Sequence, residues 1–425
     1  GLDKRIFCII GDGEAREGQV WEAVDFIKDY DLNAVCAIFN CNEYAQSDKV
    51  SAQQSPRVLA AKLEAAGFTV LSIDGHDPEG IKAAFEQHAA AQEDTANPVA
   101  IVARTIKGWG SASQQGPGHH GKPATGDDLA GALEELEATG RQMGAAIDMA
   151  LKPALMTPGK PPTMSVEPLL SFSEAMKQFG QEGALEKGSY ATRKAYGVAL
   201  RALGQACSNV VALDGDVKNS TFAEFFARDE TLATRYFEAR IAEQNMCSVG
   251  VGLGTAGKVV FCSTFAKFVT RAYDQIEMAV NSGANLKIVG SHAGISLAAD
   301  GPSQMGLPDV AWFRSFTTAV SSSGQPLFYL LQPSDAYQTY ALTAAMAEHD
   351  GLCYMRTLRP DLEFLYSDTD QFRLGGHEVL ASGRDLLMIA SGYMVHEANK
   401  VLDRLDGQGV SATLVDLYSI PFDEE

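Results

Sequence analysis

Short strand-like runs alternate with segments of helical spacing along most of this sequence, and no other feature constrains the fold as strongly. In the first part of the chain, the runs predicted as strands are 6–10, 34–39, 69–73 and 98–103. The segments predicted as helices are 56–66 and 78–91. The run at 6–10 is apolar throughout, which is typical of a strand that is buried on both faces. Such alternation predicts a doubly wound parallel sheet.

The same alternation resumes further along the chain. The second set of predicted strands is 210–213, 259–262, 286–289 and 353–355. The predicted helices of that set are 192–207, 241–252, 269–280 and 334–348. A third pattern then begins with strand 386–389, helix 395–405 and strand 412–415, and it is not completed. The sequence therefore predicts an α/β protein with two doubly wound parallel-sheet domains and a truncated third α/β domain.

Two segments lack this pattern. Residues 153–164 carry four prolines and a glycine, a composition that is typical of a linker. Residues 106–126 are rich in Gly, Ser, Gln and His, and long loops in compact domains are usually functional or disordered. The chain begins at Gly1 rather than Met and stops at Glu425 soon after an apolar run, so we expect it to be a fragment.

Composition argues against several classes of protein. The chain has 34 basic and 54 acidic residues, a formal charge of −20 with no basic stripe, which argues against binding nucleic acid. Seven cysteines are scattered without a CxxC pair, and several, such as Cys8, sit in apolar runs. This pattern suits reduced, buried thiols in a cytosolic protein rather than disulfides or zinc ligands. No run reaches ~18 apolar residues and no signal peptide is visible, so we expect no membrane span.

Polar residues follow the first two predicted strands. Gly11-Asp12-Gly13 comes after the first and Asn42 after the second. Because the carboxyl ends of parallel strands meet at one edge of a sheet, we expect Asp12 and Asn42 to be neighbours. Their oxygen atoms suit Mg²⁺ or Ca²⁺, and Gly13 lets backbone N–H groups approach a diphosphate. A tight turn closed by an asparagine side chain fits the same residues, so both interpretations stay open at this point.

The second α/β set carries its own candidates. Glu243 opens a predicted apolar helix, where a glutamate either complements the helix dipole or, if buried, serves as a proton donor. Phe265 and Phe268 follow a strand at i, i+3 spacing, which suits a flat ring pocket or plain core packing.

Basic residues and a polar loop lie near other strand ends. The loop at 291–304 is rich in glycine and polar groups, as functional loops are, although plain connections share this composition. Arg193, Arg356 and Arg359 suit bidentate recognition of phosphate or carboxylate, and His120 lies in the long loop. Any one of these arginines, taken separately, is more often a solvated surface residue.

Taken together, these residues resemble the transketolase family of thiamine-diphosphate-dependent enzymes over almost the whole chain. Besides Gly11-Asp12-Gly13 with Asn42, five segments are similar to that family in the same order. They are HGKP at 120–123, ATRKAYG at 191–197, DGDVKNST at 214–221, AEQNM at 242–246 and DGPSQ at 300–304. Gln304 stands where yeast-like members carry a histidine, so the sequence resembles the animal-like type.

The resemblance implies thiamine diphosphate as cofactor, with Mg²⁺ or Ca²⁺. The implied cofactor-binding residues are Asp12, Gly13, Asn42, Lys107, Glu243, Phe265 and Phe268. The implied metal ligands are Asp12, Asn42 and the carbonyl of Tyr44. Glu243 would hydrogen-bond the aminopyrimidine ring nitrogen and drive its imino tautomer, and the two phenylalanines would pack against that ring.

It also implies sugar phosphates as substrates. The implied catalytic residues are Glu243, His120 and His292, and the implied substrate-binding residues are Arg193, Ser220, His292, Asp300, Gln304, Arg356 and Gln46. Arg193, Ser220 and Arg356 would bind the phosphate, and the others would contact the sugar. The implied reaction moves a two-carbon ketol unit from a ketose phosphate, such as xylulose 5-phosphate, to an aldose phosphate, such as ribose 5-phosphate, in the pentose phosphate pathway.

The resemblance further implies an order of domains. It places a diphosphate-binding domain at 1–140, a linker at 141–187, a pyrimidine-binding domain at 188–360 and the start of a C-terminal domain at 375–425. In this family the cofactor sits between the diphosphate domain of one subunit and the pyrimidine domain of the other, which implies a homodimer. The family carries a segment before its GDG motif that nothing here matches, so we expect the N-terminal part of that domain to be missing.

Three other interpretations compete with this one. A 1-deoxyxylulose-5-phosphate synthase has a segment similar to residues 271–275, but Arg193 and the segment at 120–123 argue against this enzyme. A non-catalytic transketolase-like chain of a split complex fits the motifs as well. A dinucleotide-binding protein is suggested by GLGTAG at 252–257, which ends a helix and precedes a strand, the reverse of the order that a dinucleotide fold requires.

Overall fold

The computed structural model describes residues 5–91, 97–145 and 168–423, so the predicted linker at 153–164 lies outside the described residues. The chain divides into two compact units, Gly1–Pro158 and Gly159–Glu425, each with its own sheets and cores. Among the described residues, none of the helices is both long and apolar enough to cross a membrane.

The first unit is a parallel sheet with helices between its strands. Its strands are β1 (Ile6–Gly11), β2 (Val35–Cys41), β3 (Thr69–Asp74) and β4 (Val99–Arg104), in the order β1-β2-β4-β3. Its helices are α1 (Gly18–Asp29), α2 (Pro56–Ala65), α3 (Pro78–Ala91) and α4 (Gly126–Gln142). All three strand pairs are parallel, which confirms the prediction from alternation. One core of this unit joins Val24, Phe39, Leu59, Leu63 and Val102 from its helices and sheet.

The prediction that residues 6–10 form a fully buried strand is wrong. β1 lies at the edge of the sheet, and Ile6 and Ile9 are 55% and 71% exposed. Phe7 packs edge-on against Phe85 of α3 at 5.2 Å between ring centroids, which covers only part of that face. Cys8 is accordingly exposed, although the other six cysteines are buried and all seven are free thiols, as predicted for a chain without disulfides.

The second unit is larger. Its helices are α5 (Phe172–Gln178), α6 (Glu182–Lys187), α7 (Thr192–Ala206), α8 (Lys218–Thr221), α9 (Glu224–Ala227), α10 (Glu243–Thr255), α11 (Tyr273–Asn281), α12 (Asp309–Arg314), α13 (Ala336–Glu348) and α14 (Tyr393–Asp406). Its strands are β5 (Ser189–Ala191), β6 (Val210–Asp214), β7 (Tyr236–Glu238), β8 (Val259–Phe265), β9 (Leu286–Ser291), β10 (Phe328–Leu331), β11 (Leu352–Arg356), β12 (Asp361–Glu363), β13 (Glu378–Ala381), β14 (Leu386–Ala390), β15 (Ala412–Asp416) and β16 (Ser419–Ile420).

The main sheet of this unit is doubly wound. Its order is β16-β10-β11-β9-β8-β6-β7, and every pairing except that of β16 with β10 is parallel. Successive residues of β8 enter different cores, since Val260 packs with α10 and α11, whereas Phe261 packs with α7 and α13. Helices therefore cover both faces, as predicted, and the carboxyl ends of β6, β8, β9 and β11 reach one edge.

The third predicted pattern is a small sheet with one helix. β13 pairs antiparallel and β14 parallel with β15, and α14 lies between β14 and β15 in the chain. In the described part of the range predicted as a linker, α5 and α6 are helical. Phe172 and Met176 of α5 are buried beside Tyr190 and Tyr340. The domain boundaries themselves stay predictions.

Candidate functional site

The first group of candidate residues lies where β1 and β2 end. Asp12 is buried, and its Oδ1 accepts a hydrogen bond from the backbone N–H of Gly13 at 2.8 Å while Oδ2 accepts one from Glu43 at 2.5 Å. Burial raises the pKa of Asp12, and the backbone N–H groups of residues 13, 42 and 43 oppose that rise. The expected proximity of Asp12 to the Asn42 segment is confirmed, because adjacent parallel strands bring their carboxyl ends together.

A tight turn carries Asn42. Its Oδ1 accepts a hydrogen bond from the backbone N–H of Tyr44 at 3.0 Å, and Glu43 between them has φ +64°. The Nζ of Lys107 donates to the carbonyl of Ala45 at 2.9 Å, which places this ammonium beside the same turn. Gln46 is exposed further along it. The turn interpretation is therefore confirmed, and it sets carboxylate, amide and carbonyl oxygens close to one another.

Gln54 supports the segment that follows β1, although no pattern in the sequence pointed to it. Its Nε2 donates to the carbonyls of Asp12 and Gly13 at 2.7 and 3.1 Å, and its side chain is buried. A Cβ on Gly13 would lie 3.2 Å from that of Ala45, so the lack of a side chain keeps this approach open. In the described residues, no three His, Cys, Asp or Glu side chains form a metal cluster.

The second group lies in the other unit, around the first residue of α10. Glu243 is 2% exposed, and its Oε1 accepts a hydrogen bond from Nη1 of Arg271 at 2.6 Å. A glutamate that only complements a helix dipole is normally solvated, whereas this carboxylate is shielded from water. Arg271 itself is half-exposed and was not among the residues that the sequence suggested.

A row of aromatic rings lies next to the ion pair of Glu243 with Arg271. The rings of Phe265 and Phe268 are stacked with centroids 5.1 Å apart and planes 12° from parallel. The guanidinium carbon of Arg271 lies 4.7 Å from the centroid of Phe268, and the ring of His292 lies 4.2 Å from that of Phe265. We call Arg271, Phe268, Phe265 and His292, in this order, the aromatic column.

Basic residues gather at the far end of the aromatic column. Nη1 of Arg193 donates to the carbonyl of Ser220 at 2.8 Å and lies 3.5 Å from Nε2 of His292. Burial, and then the positive charges of Arg193 and Arg359, lower the pKa of His292 to about 3, so its imidazole is neutral. Burial likewise lowers the pKa of Arg193. The structure thus brings together Arg193, Ser220 and His292, three of the predicted substrate-binding residues.

Arg356 is held differently from Arg193. Its Nε and Nη2 donate to the buried carboxylate of Asp309 at 2.8 and 3.3 Å, and Nη1 donates to Gln332 at 2.5 Å. Its Nη2 also donates to the carbonyl of Gly306 at 3.0 Å. Most of its N–H donors are therefore used inside the protein. Its Nη2 also adjoins the loop that follows His292, because a Cβ on Gly294 would lie 4.0 Å from it. Its role in phosphate binding stays a prediction.

Three predicted residues lie on loops. Asp300 is exposed at the end of a single 3₁₀ turn. Gly301 has φ +79°, and its carbonyl accepts from the backbone N–H of Gln304 at 3.1 Å. His120 is exposed in the loop that joins β4 to α4 in the first unit. Their roles, like those of the other site residues, stay predictions.

We call the edge of the second unit at which the parallel strands end its rim. Several residues on this rim have strained backbone conformations. Asp216, Phe222, Arg240 and His292 have φ between +57° and +66°, a conformation that non-glycine residues rarely adopt. Asp216 follows β6, Arg240 follows β7 and His292 follows β9. Strained residues of this kind concentrate at functional sites, because the surrounding structure must hold them in place.

Three family models match successive parts of the chain. The thiamine diphosphate binding domain of transketolase matches residues 1–143, the pyrimidine binding domain matches 188–363, and the transketolase C-terminal domain matches 375–425. Transketolases of Mus musculus and Homo sapiens are 36% identical to it over 99% of this chain, and each match covers 64% of the relative. The chain thus spans less than two thirds of the length of these relatives.

Solved structures share the fold. A transketolase from Campylobacter jejuni superposes with a TM-score of 0.72 at 19% identity, covering 99% of this chain and 67% of that one. A transketolase of Pichia stipitis in complex with sedoheptulose-7-phosphate also gives 0.72, at 18% identity, covering 100% of this chain and 66% of that one. At these identities the likeness concerns the fold alone.

Proposed function

The chain belongs to the transketolase family, and from this premise we propose that it acts as a transketolase that depends on thiamine diphosphate. It would transfer a two-carbon ketol unit from a ketose phosphate, such as xylulose 5-phosphate, to an aldose phosphate, such as ribose 5-phosphate. The observation that carries the proposal is Glu243, buried at the start of α10 and adjoining the aromatic column. A carboxylate that is shielded from water and lies beside stacked rings is suited to proton exchange with an aromatic ring that binds there.

The residues of the first unit fit the diphosphate end of the cofactor. Asp12 and Asn42 would hold Mg²⁺ or Ca²⁺ together with the carbonyl of Tyr44, because hard cations prefer oxygen ligands. Gly13 would let the backbone approach the diphosphate, and Lys107, fixed on Ala45, would add positive charge beside it.

The residues of the second unit fit the ring end and the substrate. When bound, the cofactor supplies the electron sink that C–C cleavage needs and that no side chain offers. Glu243 would hold a proton at the ring nitrogen, while Phe265 and Phe268 orient the ring by packing. Arg193 and the neutral His292 would receive the anionic sugar phosphate, since they place local positive charge and hydrogen-bonding groups in a chain of net charge −20.

The remaining predicted residues would define the rest of the sugar site. Ser220 and Arg356 would contribute to the phosphate end, and the hydroxyl and carbonyl groups would meet His120, Asp300, Gln304 and Gln46. We also propose a homodimer in which each cofactor is held by the diphosphate domain of one subunit and the pyrimidine domain of the other. A cytoplasmic role in the pentose phosphate pathway completes the proposal.

An activity assay with two substrate pairs tests this function. With thiamine diphosphate and Mg²⁺ present, we expect the protein to convert xylulose 5-phosphate with ribose 5-phosphate and to leave pyruvate with glyceraldehyde 3-phosphate unchanged. Glu243→Ala should abolish turnover while its Tm stays at the wild-type value. Glu277→Ala, which removes an exposed carboxylate from α11, is the matched control and should retain activity.

Three results would contradict the proposal. Turnover by Glu243→Ala at the wild-type rate would remove the residue on which it rests. Preference for pyruvate would instead indicate a 1-deoxyxylulose-5-phosphate synthase. Absence of saturable thiamine diphosphate binding would favour a non-catalytic transketolase-like chain of a split complex.

A further inference from the structure

Arg271 makes two contacts that bear directly on the ring pocket. Its Nη1 donates to Oε1 of Glu243 at 2.6 Å, and its guanidinium carbon lies 4.7 Å from the centroid of the Phe268 ring. The first contact engages the buried carboxylate, and the second covers an aromatic face. One side chain thus covers both features that a flat nitrogen heterocycle would use in this pocket.

The aromatic column leaves little room for a ring elsewhere in the stack. Phe265 and Phe268 are stacked on one another, so neither inner face is open. Of the two outer faces, that of Phe265 is next to His292 and that of Phe268 is next to Arg271. Between these two neighbours, His292 is buried, whereas the side chain of Arg271 is 52% exposed. In the single chain, Arg271 is therefore the neighbour with open space into which it can turn.

We propose that Arg271 is a gate of the ring pocket, holding Glu243 and covering Phe268 until an aminopyrimidine ring displaces its guanidinium. The inference rests on the proposed function, and it adds a regulated entry to that same site. A guanidinium is planar and cationic, so it can stack on Phe268 and pair with a carboxylate at the same time. Lysine carries the charge without the plane and matches only one of these two properties.

The gate acts on cofactor association. Before a ring can reach Phe268 and Glu243, the guanidinium must break both contacts and move aside, which slows binding. Removing the guanidinium removes this step, so a gate predicts faster and tighter cofactor binding. A residue that only positions Glu243 for the cofactor predicts the opposite, since its loss would weaken binding.

Stopped-flow fluorescence and calorimetry of the full protein separate these two roles without relying on turnover. Arg271→Met should bind thiamine diphosphate about three- to fivefold faster than wild type, with a lower Kd, because it loses a partly exposed ion pair and a stacked cation. Arg271→Lys should fall between Met and wild type. Arg314→Met, which removes an exposed cation from α12, is the matched control and should bind like wild type.

Thiamine, which lacks the diphosphate, is the second probe. Thiamine reports on the ring end alone. The order of association rates among Arg271→Met, Arg271→Lys and wild type should therefore be the same with thiamine as with thiamine diphosphate. If Arg271→Met does not fold, faster binding by Arg271→Lys supports the gate, and binding no faster than wild type contradicts it. If wild type binds thiamine diphosphate but Arg271→Met binds no faster, the gate alone is wrong. If wild type does not bind at all, both the gate and the proposed function are wrong.

Discussion

Nη1 of Arg193 lies 3.5 Å from Nε2 of His292, so a guanidinium faces an imidazole at the rim of the second unit. Nδ1 of the same ring lies 3.0 Å from Oγ of Ser291. Because Arg193 can only donate, Nε2 is the accepting nitrogen and Nδ1 carries the proton toward Ser291. The imidazole is thereby fixed in one neutral form, ready to accept or donate at defined atoms.

This relationship predicts a pH dependence of stability. The pKa of His292 is lowered to about 3 in the folded protein, from an ordinary value of about 6.5. Below pH 6.5 the unfolded chain binds a proton that the folded protein excludes, so the stabilising contribution is complete above pH 6.5 and is lost as the pH falls toward 3. His292→Gln should reduce the slope of the unfolding free energy between these values by up to about 1.4 kcal/mol per pH unit.

Urea unfolding at several pH values between 4 and 7.5 measures this slope. Asp335 acts in the opposite sense, since burial raises its pKa to about 6, so only the difference between variant and wild type is informative. His377→Gln, in the same unit, serves as the control. Parallel curves for wild type and His292→Gln would contradict the prediction.

Removal of the Asp309 carboxylate should lower the stability of the fold substantially. Its carboxylate is completely buried, accepts from Nε and Nη2 of Arg356 and also accepts from the hydroxyl of Tyr354 at 2.7 Å. Asp309→Ala would leave a buried guanidinium without its counter-charge, and we expect the free energy of unfolding to fall by about 3–5 kcal/mol. Urea denaturation monitored by circular dichroism gives this value.

Asp361 offers the comparison for this measurement. It forms ion pairs with Lys187 and Lys194, but all three side chains are partly exposed. Asp361→Ala should therefore cost less than about 1 kcal/mol. Equal losses for the two alanine variants would show that the pair of Arg356 with Asp309 is no stronger than a surface contact.

A side chain at position 13 should lower the affinity for the cofactor. A methyl group there would lie 3.2 Å from the Cβ of Ala45, so the turn that carries Asn42 must shift by a few tenths of an ångström. We expect Gly13→Ala to weaken thiamine diphosphate binding by about tenfold, since overpacking of about 1–3 kcal/mol acts on this turn. Isothermal titration calorimetry measures the Kd.

Gly18 is the matched control for this substitution. It begins α1, and a Cβ there would meet nothing within 4 Å. Gly18→Ala should leave the Kd unchanged and raise the Tm slightly, because alanine favours the helix. An unchanged Kd for Gly13→Ala would contradict the prediction.

The sequence predicted those parts of the site that depend on strand order. Asp12 and the Asn42 segment are neighbours because each follows a strand of one parallel pair, and the alternation of strand and helix signals already indicated that pair. The apolar pattern also indicated that a helix begins near Glu243, but it left open whether that carboxylate is solvated or buried, and the structure buries it. Local periodicity therefore predicts which residues lie at the ends of the strands, along the rim of a sheet.

The sequence did not predict which neighbours complete these positions. Arg271 is 28 residues from Glu243, and Gln54 is 42 residues from Asp12, so their contacts are set by tertiary packing rather than local pattern. The exposure of β1 was missed for a related reason, because an apolar strand looks the same at the edge of a sheet as at its centre.

The left-handed residues at the rim have a consequence for protein engineering. Strain at Asp216, Phe222, Arg240 and His292 costs about 1–3 kcal/mol at each position, and glycine would relieve it. A screen for thermal resistance would therefore favour glycine at Asp216 and Arg240, whose side chains are exposed, whereas glycine at Phe222 or His292 would also remove a packed ring. Both lie on the rim that carries the candidate site, so we expect a gain in heat tolerance there to come with a change in the loops that hold the proposed site residues.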